Sequence, residues 1–393
     1  MQAVILLLKY KKIMKRILFG ISLLLTTSGL AQAPAGYYNS ATGTGYTLKT
    51  QLHNIIKDHD SQSYNALRDV LYKSSSNING FRDKYYENDN TILDIYSENP
   101  NSTDPYVFNI NTTCGNYSIE GDCYNREHLI PQSYFNSNYP MYSDAFHVWP
   151  TDGKVNGWRS NLPLGVVSGT STNPCNSGAS NTPCHSQNGS KKGANLNSGY
   201  SAGFSGTVFE PIDEFKGDVA RAFFYFATRY QTQMSGFYSN SSDVKVMFDG
   251  SNDKVFSQTF LNILYQWHIQ DPVSQREIDI NNLIYDFQDN RNPFIDNPDY
   301  VTMIWGSELS VSEVEHVYVS IYPNPAKDQR INITTDKEIE EIRLINLNGQ
   351  IIQQIKYPNS QNNTYTLDNL PNGFYILNLN VENQNITKKV IVN

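Results

Sequence analysis

A chain of 393 residues is longer than one ordinary domain and predicts two or three. With 17% charged and 12% aromatic residues, including 27 Tyr, it lacks the low hydrophobicity and high charge of a disordered protein and is expected to fold. Its formal charge of −8 argues against tight, extensive nucleic-acid binding through an overall basic surface and leaves only a local basic groove.

Lys9, Lys11, Lys12, Lys15 and Arg16 precede the apolar run Ile17–Leu25, and the small residues Gly29, Ala31 and Ala33 follow. That order predicts a secretory signal peptide over residues 1–33, with Met14 as an alternative start. The run is about half of the roughly 20 apolar residues a membrane span needs, and no later segment is apolar enough. Removal of residues 1–33 takes away five basic and no acidic residues and leaves a mature charge of −13. The four cysteines fall as Cys114 with Cys123 and Cys175 with Cys184, each pair nine positions apart. Three connectivities are open. Two local disulfide loops are the simplest in an oxidising compartment, and a Cys-only zinc site would want closer spacing.

Residues 34–46 read as loop. In Leu48–Leu71, apolar residues recur at Leu48, Leu52, Ile55 and Ile56 and again at Tyr64, Leu67, Val70 and Leu71. This spacing predicts two packed helices with a break near Asp58–Ser61. His53 and His59 lie there without a partner at metal-ligand spacing and read as surface or packing residues. Short strands are expected at Tyr106–Ile110 and just before Glu127, with a further strand at Ala145–Trp149. Pro150 then opens a short helix, with Thr151 as N-cap and Val155 and Trp158 as apolar contacts. Strand, loop, strand and helix bring His128, Asn156 and His147 around one cleft.

The stretch Tyr124–Gly165 concentrates residues that packing alone does not call for. Glu127 stands beside His128, Asp144 near His147, and Asn156, Arg159 and Asn161 follow within six positions. Phosphodiester cleavage needs a metal to polarise the phosphoryl group, a base to activate water and a cation for developing charge. Glu127 and Asn156 offer the oxygen ligands a hard ion such as Mg²⁺ prefers. His128 suits the general base, since a neutral imidazole can take a proton from water. Consecutive strand side chains face opposite ways, so Glu127 and His128 share a site only where the strand ends, twists or bulges. Asp144 and His147 read better as supports behind the metal site than as catalytic groups. A zinc hydrolase built on His128, Asp144 and His147 is the competing chemistry. Arg221 lies in an amphipathic helix over Asp213–Tyr230, with Val219, Ala222, Phe223 and Phe226 facing the core, and suits a structural ion pair at least as well as a phosphate contact. His185, inside the second cysteine loop, reads as a surface residue.

Four blocks in order carry a family resemblance: NREHLIPQSYF, then DAFHVWPTDGKVNGWRSNLPLG, then EPIDEFKGDVARAFFYFATRY (Glu210–Tyr230), then YQWHIQDPV with FQDNRNPFID (Phe287–Asp296). They resemble the endonuclease I family of secreted and periplasmic nonspecific nucleases, over most of residues 100–300. The resemblance implies an α+β fold, with a ββα-metal nuclease core embedded in a mixed helical and strand domain. It implies His128 as general base, Glu127 and Asn156 as ligands of a single Mg²⁺, with Mn²⁺ or Ca²⁺ as substitutes, and a further site residue in Arg159. Some members place a transition-state Arg in the loop between the two strands. Gln132–Tyr142 contains none here, so that role falls to Arg159 or Arg221, or to nothing. The implied substrates are DNA and RNA. A cell-surface binding protein on a degenerate nuclease scaffold is the alternative from another class.

Past Trp305 the composition changes. Glu308–Glu315 is polar, and Val317–Asn393 alternates apolar and polar residues in IRLINL, QIIQQI, FYILNLNV and TKKVIVN, with Asn-Gly turns expected at Asn348-Gly349 and Asn372-Gly373. The pattern predicts a small all-β sandwich. The blocks YPNPAKD, LINLNGQ and LPNGFYILNL resemble the C-terminal sorting domain of the type IX secretion system, which implies passage across the outer membrane. A carbohydrate-binding sandwich is the competing reading, and it lacks a clear row of exposed Trp. The expected organisation is a signal peptide at 1–33, a catalytic domain at 34–306, a linker at 307–316 and a sorting domain at 317–393. The mature chain is expected to have no membrane span and to act as a monomer.

Overall fold

The computed structural model describes residues 33–393 apart from 172, 176–180, 242, 310–318, 327, 336, 347–349, 361–363, 382, 383 and 393. The expected signal peptide before Ala33, residues 310–316 of the expected linker and the Asn348-Gly349 turn lie outside the described residues. The chain divides into two compact units, with the boundary between residues 310 and 311. No described helix is long and apolar enough to cross a membrane.

In the first unit, helix α1 (Gly45–Ile56) buries Leu48, Leu52 and Ile56, one face at a four-residue repeat. After the predicted break, the chain resumes as one α-turn at Tyr64–Ala66, with Ser63 Oγ accepting from the Ala66 N–H, and continues as a π-helix over Leu67–Tyr72. Phe108 forms only an isolated bridge to Ile92, so the strand expected at Tyr106–Ile110 does not form.

Strands β1 (Tyr124–His128) and β2 (Val148–Asp152) make a two-stranded antiparallel sheet, and helix α2 (Gly153–Arg159) follows directly. The second strand starts three residues later than expected. Asp144 Oδ1 accepts from the Phe146 N–H at 3.1 Å, and Gln288 Oε1 from the Ala145 N–H at 3.0 Å, so these residues curl instead of extending. Pro150 lies inside the strand, because β2 pairs with β1 alone and a missing N–H on the open edge breaks no ladder. The N-cap of α2 is Asp152, not Thr151: its carboxylate accepts from the Val155 N–H at 2.8 Å. Strands β3 (Cys184–His185), β4 (Lys191–Ala194) and β5 (Thr207–Glu210) form a separate antiparallel sheet.

Helix α3 (Lys216–Arg229) is buried along all 14 residues. Its sequence has an apolar face with Val219, Ala222, Phe223 and Phe226 and, opposite, a polar face. That face is covered by α4 (Gln258–Gln270) and α5 (Gln275–Gln288), and its charges are paired. Arg221 meets both oxygens of Glu277 at 2.5 and 2.7 Å, and Asp218 meets Arg276 at 2.5 Å. Arg221 is thus a structural ion-pair residue with no path to the cleft.

The second unit is described by itself. Strands β6 (Ser320–Tyr322), β7 (Ile331–Thr334) and β10 (Thr364–Leu367) form one antiparallel sheet. Strands β8 (Ile339–Asn346), β9 (Ile351–Lys356), β11 (Gly373–Val381) and β12 (Gln384–Val392) form the other, in the order β12-β11-β8-β9. Alternate residues such as Ile331, Ile333, Leu377 and Leu379 meet in one apolar core, as the period of two requires. The segment with Asn372 and Gly373 leads from β10 of one sheet to β11 of the other.

Candidate active site

The β1–β2 register runs unbroken from Tyr124 opposite Asp152 to His128 opposite Val148. Side chains on β1 alternate, with Arg126 and His128 pointing one way and Asn125 and Glu127 the other. Both sets reach a single cavity of about 800 Å³, which also takes in Tyr64, Asn156, Arg159 and Asn161. No bulge interrupts the register at Glu127 and His128; β1 pairs with β2 alone, and the cavity takes in side chains from both faces of β1.

His128 is 6% exposed, and its Nε2 lies 3.0 Å from the Tyr142 carbonyl oxygen. A carbonyl only accepts, so Nε2 carries the hydrogen and Nδ1 keeps the lone pair. The ring lies against a stacked tyrosine pair, 5.2 Å from Tyr142 and 5.6 Å from Tyr64, which are 4.3 Å from each other. Burial, helped by His147, Arg126 and Arg159, pushes the imidazole down to about 3, so it stays neutral at working pH.

Glu127 Oε1 accepts from the Tyr96 hydroxyl at 3.0 Å and lies 3.1 Å from Arg159 Nε. Both side-chain partners fall on the same oxygen, and Oε2 takes none from a side chain. Burial pushes the carboxyl up to about 7 despite the opposing pull of Arg159. Across the cleft, Asn156 Nδ2 donates to Asn125 Oδ1 at 2.6 Å, which frees Asn156 Oδ1 as an acceptor. A carboxylate oxygen and an amide oxygen without competing side-chain donors fit a hard divalent ion that keeps several waters.

Arg159 is 1% exposed and spends its nitrogens on Glu127 and on the carbonyls of His128, Leu129 and Ser160. It pins the end of β1 to the end of α2. Asn161 is exposed at the rim. Asp144 and His147 stand behind the site. Asp144 accepts from Tyr225 at 2.9 Å, Tyr230 at 2.8 Å and Gln288 at 2.9 Å, and His147 Nε2 donates to the Met141 carbonyl at 2.7 Å. With Asp144 saturated by these donors, the zinc arrangement of His128, Asp144 and His147 is not assembled. Among the described residues, the one group of three His, Cys, Asp or Glu whose ligand atoms come within 4.8 Å lies elsewhere.

His53 is a packing residue, with Nδ1 2.9 Å from the Thr228 carbonyl. His59 Nδ1 accepts from Arg229 at 2.9 Å, and His185 is half-buried with Ser171 Oγ at 2.8 Å.

Sequence reasoning passed over Arg126, Asn125 and Tyr96. The Arg126 guanidinium lies 3.5 Å from the centroid of the Tyr64 ring and donates to the Tyr64 carbonyl at 2.5 Å. Its signal was legible, two positions before His128 and so on the same strand face. Asn125 has the same relation to Glu127. Tyr96 gave no local signal at all. With Arg68, the cavity lining holds three arginines against one carboxylate, a basic groove within an acidic chain.

Both disulfides close local loops, Cys114–Cys123 and Cys175–Cys184. The first loop forms a cavity wall and presses Tyr117 on α2. A Cβ at Gly157 would stand 2.3 Å from the Tyr117 hydroxyl, so Gly157 is what lets the loop approach.

The endonuclease I family matches residues 44–299, and the secretion system C-terminal sorting domain matches residues 320–393. An extracellular ribonuclease of Bacillus subtilis (strain 168) is 31% identical over 273 residues, covering 68% of this chain and 78% of the relative. An extracellular ribonuclease of Bacillus amyloliquefaciens is 30% identical over 294 residues, covering 73% and 85%. A solved structure of PorZ, a type-IX secretion component of Porphyromonas gingivalis, covers 21% of this chain and 12% of its own at 17% identity with a TM-score of 0.16. Nucleases of the endonuclease I family depend on a metal. The chain therefore belongs to the endonuclease I family and is a nuclease, a phosphodiester hydrolase, joined to a type IX sorting domain that directs it outside the cell or to its surface.

Proposed function

We propose that the protein is a Mg²⁺-dependent, largely sequence-nonspecific endonuclease that cleaves DNA and RNA, with His128 as the general base. The observation that carries this reading is the pairing of His128 Nε2 with the Tyr142 carbonyl, which leaves Nδ1 of a neutral imidazole for the cavity. Glu127 and Asn156 would hold the ion. When bound, Mg²⁺ would supply Lewis-acid polarisation of the phosphoryl oxygen and stabilise the leaving oxygen. His128 Nδ1 takes the proton from water as the water oxygen bonds to phosphorus and the bond from phosphorus to the leaving oxygen breaks, and the imidazolium, disfavoured by burial, passes its proton to solvent. Arg126, held flat against Tyr64, contacts the phosphate and takes the part for which the inter-strand loop has no arginine. Arg159 acts through Glu127 as a positioning residue.

RNA as a substrate is supported by the two ribonuclease relatives, and DNA is what the resemblance of the sequence blocks to nonspecific nucleases implies. The same reading takes residues 34–306 as the catalytic domain, 307–316 as linker and 317–393 as the sorting domain behind a signal peptide at 1–33, with the chain acting as a monomer. Purified protein should digest plasmid DNA and bulk RNA in Mg²⁺ and stop in EDTA. Digestion that persists in EDTA would sink the metal-dependent reading.

A further inference from the structure

The segment from Asp83 to Asp104 lies outside the cavity and gathers acidic side chains that the chemistry above does not use. Ligand oxygens of Asp83, Glu87 and Glu98 come within 4.8 Å of one another. Asp83 and Glu98 are each 1% exposed, and Glu87 reaches solvent. Asp83 is compensated by backbone, accepting from the N–H groups of Tyr85 at 3.2 Å and Tyr86 at 3.0 Å. Glu98 is not. Both of its carboxylate oxygens are buried without a hydrogen-bond partner, an arrangement that native proteins rarely leave uncompensated.

Nearby cations do not answer it. Lys84 Nζ donates to the Ser76 carbonyl at 2.7 Å, and the Arg82 guanidinium donates to the Asn90 carbonyl. Among the described residues no lysine or arginine forms an ion pair with Asp83, Glu87, Glu98 or Asp104. Burial and the like charges of Asp104, Asp83 and Glu87 push the Glu98 carboxyl up to about 10. A divalent cation among these oxygens would remove both the repulsion and the missing partner.

We propose that Asp83, Glu87 and Glu98 form a Ca²⁺ site, separate from the catalytic ion, that braces the active centre. Ca²⁺ takes roughly 6–8 oxygens at about 2.3–2.6 Å in flexible geometry, so oxygens on opposite sides of the ion stand up to about 5 Å apart. Mg²⁺, at about 2.0–2.1 Å and near-octahedral, tolerates an irregular, carboxylate-rich loop less well. The bracing follows from what else this loop carries. Glu98 N–H donates to the Asp94 carbonyl at 2.8 Å. The Asp94 carboxylate in turn accepts from Thr151 Oγ1 and the Asp152 N–H, both at 2.5 Å, at the corner between β2 and α2. Tyr96, between them, donates to Glu127. An ion on Glu98 therefore fixes the segment that positions the catalytic carboxylate and the start of the catalytic helix.

The test uses full-length mature protein with Glu127→Gln and Asn156→Ala, which removes the proposed catalytic ligands, so its outcome does not depend on that reading. Calorimetric titration with CaCl₂ should give one Ca²⁺ per chain, and millimolar Ca²⁺ should raise the melting temperature by several degrees over EGTA. Mg²⁺ at the same concentration should leave the melting temperature where EGTA does. Adding Glu87→Gln, a change at an exposed position, should weaken Ca²⁺ binding at least tenfold and leave the melting temperature in EGTA unchanged. Adding Glu98→Gln should abolish the Ca²⁺ effect and leave the melting temperature in EGTA close to that of the parent, because without the ion the carboxyl, pushed up to about 10, is already uncharged. Absence of Ca²⁺ binding in the Glu127→Gln/Asn156→Ala protein, binding untouched by Glu87→Gln and Glu98→Gln, or equal stabilisation by Mg²⁺ would each overturn the assignment.

Discussion

The Tyr142 carbonyl oxygen stands 3.0 Å from Nε2 of His128, and that contact leaves Nδ1 as the ring nitrogen with the lone pair. The donor is spent on the backbone, the acceptor faces the cavity, and burial keeps the ring neutral down to about pH 3. On the proposed mechanism, His128 therefore needs no deprotonation before it accepts a proton from water.

His128→Ala should therefore lower the cleavage rate by about 10²–10⁴ at unchanged Mg²⁺ affinity, the usual worth of a positioned general base. Circular dichroism should stay close to wild type, with the melting temperature lowered only by the lost packing of the ring on Tyr64 and Tyr142. A variant that cleaves plasmid at near wild-type rate would remove His128 from the mechanism.

Glu127 titrates where His128 does not. Burial raises its folded carboxyl to about 7, above the ordinary range, so below that pH it is protonated and cannot serve as a ligand. Protons and Mg²⁺ then compete for the same oxygens. The rate should fall as pH drops through about 7, and the midpoint should move to lower pH as Mg²⁺ is raised. Initial rates across pH at two Mg²⁺ concentrations check this, and a midpoint indifferent to Mg²⁺ would assign the limb to another group.

Tyr96 tests the support behind Glu127. Its buried hydroxyl donates to Oε1, so Tyr96→Phe keeps the ring and removes one hydrogen bond from the carboxylate. Loss of a partner behind a metal ligand weakens metal affinity by about 10–100-fold. The Mg²⁺ concentration for half-maximal rate should rise by that factor, while the rate at saturating Mg²⁺ stays within severalfold of wild type. An unchanged Mg²⁺ requirement would leave Tyr96 as packing alone.

The residues that touch the cavity were largely legible because they come from one short stretch in which strand parity and helix spacing act locally. His128, Glu127, Asn156 and Arg159 all arrive where the order strand, loop, strand, helix sends them. What the sequence hid depends on partners far along the chain. Tyr96 reaches Glu127 across 31 residues and Asp94 reaches Thr151 across 57, and neither distance leaves a periodic trace. An ion pair suited Arg221 from the sequence, but nothing within α3 announces that the partners of its polar face are Arg276 and Glu277 of α5. The shift of β2 has the same origin, in Gln288 holding the Ala145 N–H from 143 residues away.

Arg126 and Arg221 separate chemistry from scaffold. Both are arginines in or near family motifs, and both could be read as phosphate contacts, but their surroundings differ. Arg126 lines the cavity with its guanidinium on Tyr64, whereas Arg221 is 0% exposed and clamps Glu277 with two hydrogen bonds. Arg126→Ala should reduce cleavage by about 10²-fold, the scale seen when one preorganised transition-state donor is removed, with the melting temperature nearly unchanged. Arg126→Lys should recover only part of the rate, since an ammonium cannot reproduce the flat stack on Tyr64 or a two-pronged phosphate contact. Arg221→Ala should do the reverse, because it leaves Glu277 buried without its partner and costs about 3–5 kcal/mol of stability. Whatever Arg221→Ala protein folds at low temperature should cleave at a near-normal specific rate. Urea denaturation beside plasmid cleavage on the same preparations distinguishes the two. A stable but inactive Arg221→Ala, or an unstable but active Arg126→Ala, would exchange the roles assigned to these residues.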